Sequence, residues 1–178
     1  MIIDIKYDQT HLLNTMWHSL DSTPNVLKLI MEHGYRIIHL IRKNLVARQS
    51  SFLLAKASGV WVNHNWQSEA AVADKVTVDL SELRNGLIKD HMRIQFFNEC
   101  FNGYPHILNL YYEDLLKNGM LNMHANRLAN FLEQPVPTPE QFRPATRKIA
   151  PKMKDYIANF NDVAKELKGT PFAAMLLD

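Results

Sequence analysis

Apolar positions along the chain recur with two periods, and the switches between them predict the elements. Residues 36–41 and 107–111 are short runs dense in β-branched and aliphatic side chains, preceded by Gly34 and by Gly103-Tyr-Pro105. The first predicts a short buried strand and the second a strand. Ile2, Ile3 and Ile5 predict a strand over residues 1–7, and residues 75–78 predict another short one. Elsewhere the helical period takes over. Val26, Leu27, Ile30 and Met31 form a stripe behind a Thr23 cap and a first-turn Pro24, and Gly34 ends it. Leu45, Phe52 and Ala55 mark a helix over 44–58 that Gly59 stops. Asp79-Leu-Ser-Glu82 reads as a capping box for a long helix with Leu80, Leu83, Leu87, Ile94, Phe97 and Phe101 on its apolar positions. A helical turn follows at 113–116, a helix at 121–132, a last long helix at 152–167 and a final turn at 172–176. Residues 10–20 fit a loop with a helical turn, residues 60–65 a short extended piece, and the prolines of 135–139 a connector.

Few strands separated by helices predict an α/β fold, helix-rich, around a small parallel sheet, because every connection is long enough for a crossover helix. No repeat or linker divides residues 1–178, so one domain is expected. With 47% hydrophobic residues the chain can build a core, and its formal charge of +2 gives no reason to expect nucleic acid or an acidic membrane surface. A single cysteine, Cys100, excludes an internal disulfide and fits a packed helix face. No run approaches the roughly 20 apolar residues of a membrane span, and no signal peptide is visible, so a cytoplasmic location is expected.

The chemistry concentrates where residues 36–41 end. Arg42 stands at that strand end and Ser50 on the helix that follows. Beyond the carboxyl ends of such strands a helix presents unpaired N–H groups, and an arginine fork can grip a phosphate through two hydrogen bonds. A surface ion pair for Arg42 and a local cap for Ser50 are the ordinary alternatives. Ser51 points about 100° away around the helix. Lys43 and Arg48 read as solvated helix charges, and the Glu113-Asp114 pair as helix N-terminal capping.

Arg42 followed eight residues later by Ser50 resembles the 3′-phosphate motif of sulfotransferases, which use 3′-phosphoadenosine 5′-phosphosulfate (PAPS) as donor. The wording His39-Leu-Ile-Arg-Lys-Asn-Leu-Val-Ala is similar to the bacterial carbohydrate-type branch, trehalose sulfotransferases included. Leu110-Tyr-Tyr-Glu-Asp-Leu115 resembles the family's Tyr-Glu-Asp-Leu segment, and Asn159 to Leu167 with Gly169-Thr170 its C-terminal helix and exit. The resemblance implies a sulfotransferase-type, P-loop-like sheet. It also implies sulfuryl transfer from PAPS to a hydroxyl of a small acceptor such as a carbohydrate, releasing 3′-phosphoadenosine 5′-phosphate (PAP). Arg42 and Ser50 would hold the 3′-phosphate, Tyr112 would meet the adenine or simply pack at its strand end, and Arg147 and Lys148 would close over the phosphate or serve as a basic linker. His11, after Lys6, faintly echoes the family's base and is the candidate catalytic residue, with a polar loop histidine as the alternative.

Residues 1–35 contain no glycine-rich or hydroxyl-rich loop for the 5′-phosphosulfate. The expectation is therefore an N-terminally incomplete domain, with a non-catalytic truncated domain that binds a nucleotide or a partner chain as the alternative. An exposed sheet edge in such a domain invites homo-oligomers. Eight histidines without metal-like spacing and a single cysteine predict no zinc site. Trp17, His18, Trp61, His64 and Trp66 could line a sugar pocket or serve as interface or core aromatics.

Overall fold

The computed structural model describes residues 2–10, 12–13, 19, 21–59, 75–115, 120–138 and 153–176. Seven helices and two strands are formed by these residues: α1 (Asn25–Glu32), β1 (Ile37–Ile41), α2 (Leu45–Ser58), α3 (Leu80–Cys100), β2 (Ile107–Tyr111), α4 (Tyr112–Leu115), α5 (Met120–Leu132), α6 (Met153–Tyr156) and α7 (Phe160–Leu167). The α/β class and the small parallel sheet are as the periodicity predicts, but β1 is not the buried strand expected: Ile38 and Leu40 are exposed and only its other face packs inward. β1 pairs with β2 in parallel, with Ile37 opposite Ile107 and Ile41 opposite Tyr111.

Local chemistry explains most boundaries. Asn44 caps α2 by accepting the Ala47 N–H at 2.8 Å, and Gly59, at φ 72°, ends it in a conformation that a Cβ would penalise. Asp79 caps α3 through the Glu82 N–H, while the Glu82 carboxylate meets Lys56 on α2. Arg36 anchors the start of β1 to the end of α5, where it reaches the Leu132 carbonyl and Glu133.

Two cores share α3 as their common wall. Leu83 and Leu87 on its first half pack with Leu45, Val46 and Leu53 of α2, Val163 and Leu167 of α7, and Ile157. Phe97 on its second half and Phe101 at its C-cap pack with Leu27 of α1 beneath Ile37 and Ile107 of the sheet. The junction between the cores is polar. Asp90 of α3, only 5% exposed, accepts from Arg48 and from the Gln49 amide of α2. Arg48 is therefore not merely a solvated helix charge: it stays partly exposed but pairs with Asp90, because a buried carboxylate requires a partner.

Four expectations of local structure are corrected. Pro24, not Thr23, is the N-cap of α1, and no side chain caps that helix. Residues 2–6 form no strand: Ile2 is 89% exposed, and the segment leads into a 3-10 turn at Tyr7–Gln9. The Gln9 side chain fixes that turn by accepting the Lys6 N–H, so local bonding outcompetes an extended conformation. Residues 75–78 make only an isolated parallel bridge, Val76 to Ile157. That bridge in turn breaks the expected helix over 152–167 into α6 and α7. Val76 donates to the Tyr156 carbonyl and accepts from the Ala158 N–H, and the Asn159 amide takes both backbone groups of Val78. Backbone groups between α6 and α7 thus pair across the chain instead of along it.

Candidate functional site

The parallel register carries both strands out together, and the next residue on each is Arg42 and Tyr112. The Arg42 guanidinium lies over the Tyr112 ring, 4.2 Å from its centroid. Such stacking holds the planar cation in one orientation and leaves its in-plane N–H groups free to donate. The Arg42 Nε is buried and has no hydrogen-bond partner among the described residues. A buried donor without an acceptor is costly, and an anion in the plane of the guanidinium relieves it.

The backbone donors beside Arg42 are already engaged. The Glu113 carboxylate accepts the N–H of Lys43 at 2.9 Å and that of Asn44 at 3.0 Å. Glu113 thus serves as a capping group, as expected for its position, but for α2 and not for its own short helix. Asp114 takes the Lys43 ammonium at 2.9 Å, and that ammonium also lies 4.1 Å above the Tyr111 ring. The Asp114 hydrogen bond holds the Lys43 pKa above its ordinary value. Lys43 is thus paired across the strand ends.

Ser50 takes a different place. It is 1% exposed, and its hydroxyl points at the Met153 sulfur of α6, 3.9 Å away, inside the first core. Ser51, on the next helical position, hydrogen-bonds the Tyr156 phenol, whose pKa is raised chiefly by burial and held back by that bond and by the nearby Arg42 charge. The structure brings Arg42 and Tyr112 together and places Ser50 against α6. His11, Arg147 and Lys148 lie outside the described residues, as do Trp17, His18, Trp61, His64 and Trp66.

A second polar constellation carries no motif. His39, 4% exposed at mid-β1, has its Nδ1 3.1 Å from the Asn109 Oδ1 directly opposite on β2. Its Nε2 is 2.6 Å from the Tyr7 hydroxyl. The amide oxygen fixes the proton on Nδ1, so Nε2 accepts from the phenol. Burial lowers the His39 pKa, partly offset by the Asn109 bond, and burial likewise pushes the Tyr7 phenol up to about 12. Tyr7 also stacks on Phe97 with ring centroids 4.5 Å apart. Sequence gave no signal for this trio because the partners come from three separate segments.

Among the described residues no group of three or more His, Cys, Asp or Glu side chains is placed to hold a metal ion. No helix among them is long and apolar enough to cross a membrane. No family model, curated protein or solved structure matches the chain.

Proposed function

We propose that the carboxyl ends of β1 and β2 form a 3′-phosphoadenosine nucleotide site of the sulfotransferase type, and that the chain moves a sulfuryl group from PAPS to a hydroxyl of a small acceptor. The observation that carries this reading is the Arg42–Tyr112 stack, one residue beyond the last paired register of two parallel strands. An oriented guanidinium with an unsatisfied buried Nε suits a dianionic phosphate, which can take two of its N–H groups at once. PAPS, when bound, supplies the activated sulfuryl group. The chain's part is to hold the nucleotide and align it with the acceptor. Ser50, buried against Met153, does not contribute to this grip, so Arg42 carries the phosphate contact.

A second reading, a domain that binds the nucleotide without transferring anything, draws on Glu113. Its carboxylate occupies the two N–H groups at the start of α2, where a second anion would otherwise bind, and it repels phosphate nearby. Calorimetry with PAP, with ADP as the control, tests the site on which both readings depend. PAP is expected to bind more tightly than ADP, and Arg42→Ala is expected to abolish the difference. Equal binding of PAP and ADP by folded protein would remove both readings. Release of PAP from PAPS in the presence of carbohydrate acceptors then separates transfer from simple binding.

A further inference from the structure

We propose that the cleft between the end of α3 and β2 is a second ligand site, separate from the Arg42–Tyr112 pair, which takes an uncharged, hydroxyl-rich small molecule. The cleft holds about 400 Å³. That lies within the range of roughly 300–1,000 Å³ in which small-molecule sites fall. Asn98 on the last turn of α3 and Asn102 in the turn that follows it form one wall. Asn109 and Tyr111 of β2 form another, Tyr104 stands at the turn between them, and His39 lies at the floor.

The chemistry of the lining selects the ligand. Three amides and two phenols offer donors and acceptors, and no Asp, Glu, Lys or Arg lines the cleft. The cation beside the lining, Lys43 over the Tyr111 ring, is already paired with Asp114, so an ion entering the cleft finds no free counter-charge there. A purely apolar molecule would cover the amides without pairing them. A neutral molecule with several hydroxyl groups meets both conditions and can also lie against the aromatic rings.

The Tyr104 and Asn109 side of the cleft is held in place before any ligand arrives. The Tyr104 hydroxyl donates to the Tyr35 carbonyl at 2.6 Å, and Gly103, at φ 76°, keeps the turn in a conformation that other residues strain. The His39 ring pins the Asn109 oxygen, which leaves the Asn109 amide N–H groups for a ligand. Fixed polar groups lose little freedom on binding, which favours affinity.

The experiment is saturation-transfer NMR and calorimetry on the full chain with maltose and cellobiose as probes, and glucose 6-phosphate as the charged control. At least one neutral disaccharide is expected to bind, with glucose 6-phosphate weaker. The Asn98→Ala/Asn102→Ala double variant should weaken binding about ten-fold, as loss of amide hydrogen bonds implies. Both positions are exposed, so the fold should survive, and circular dichroism checks it. Asn102→Leu alone provides the same readout if the double variant is unstable. Arg42→Ala should leave disaccharide binding unchanged, so failure here is distinct from failure of the nucleotide site. Absence of binding by both disaccharides, binding indifferent to the variants, or preference for the phosphate would each overturn the proposal.

Discussion

The Glu113 carboxylate at the end of β2 accepts the backbone N–H of Asn44 at 3.0 Å, and so joins the exit of one strand to the entrance of the helix that follows the other. Because it also takes the Lys43 N–H, one side chain satisfies two donors at the start of α2. Asn44 completes the cap by bonding Ala47 and by donating its own amide to the Met175 carbonyl. Glu113→Ala is expected to destabilise the fold by about 1–2 kcal/mol, the usual cost of a lost helix cap. Glu113→Gln should retain part of that, since one acceptor oxygen remains. Urea unfolding measures both, and equal stability of wild type and Glu113→Ala would refute the capping role.

Gly86 lies against Gln49, and a Cβ at that position would come 2.6 Å from the Gln49 Oε1. Alanine should favour the helix by about 1 kcal/mol. It must, however, displace a buried amide that donates to Asp90, and a bond to a charged group is worth roughly 1.5–3 kcal/mol. Gly86→Ala is therefore expected to lower stability despite its better helix propensity. In a Gln49→Ala background the same change should become neutral or stabilising. Thermal unfolding of the four proteins of the cycle decides this, and additivity would rule out the clash.

His39 is held below its ordinary value of 6.5 by burial. The unfolded chain therefore binds the proton more readily than the folded one. The neutral ring's contribution to stability is complete above about 6.5 and is lost as pH falls from there through the folded value. Unfolding free energies measured from pH 7.5 down to 5 should fall in the wild type and fall less in His39→Gln. Identical slopes would show that His39 does not carry the acid sensitivity.

Tyr7 gives the opposite edge. Its phenol is raised from 10.0 to about 12, so its contribution is intact below 10 and declines as pH rises toward 12. Tyr7→Phe should lose the hydrogen bond to His39, at a cost of about 1 kcal/mol near neutral pH. It should also lose part of the alkaline sensitivity between those values. Stability curves of the two proteins that remain parallel above pH 10 would refute the assignment.

Arg42→Lys offers a sharper test of the stacked guanidinium than alanine does. Lysine keeps the charge but lacks the planar fork that lies on Tyr112. Under the proposed function its preference for PAP over ADP should fall about ten-fold, and Tyr112→Leu should fall in the same direction through loss of cation–π orientation. Calorimetry on both variants measures this, and a lysine variant as selective as wild type would show that charge alone suffices.

Elements were legible wherever hydrophobic periodicity and capping chemistry act locally. The strand at 107–111 and the helix ending at Gly59 needed only near neighbours to form as read. Of the expected Asp79–Glu82 box only the Asp79 half formed, because Glu82 pairs with Lys56. Arg42 stood out for the same reason, as a cation at a strand end. Only tertiary structure decided which side chains meet. Val76 broke the last helix by bonding across 80 residues or more, His39 found Asn109 70 residues away, and Ser50 turned toward Met153 instead of toward the strand ends. Periodicity tells each residue which face it occupies, but not what stands opposite. That depends on register and packing between distant segments, where burial forces each polar group to find a partner.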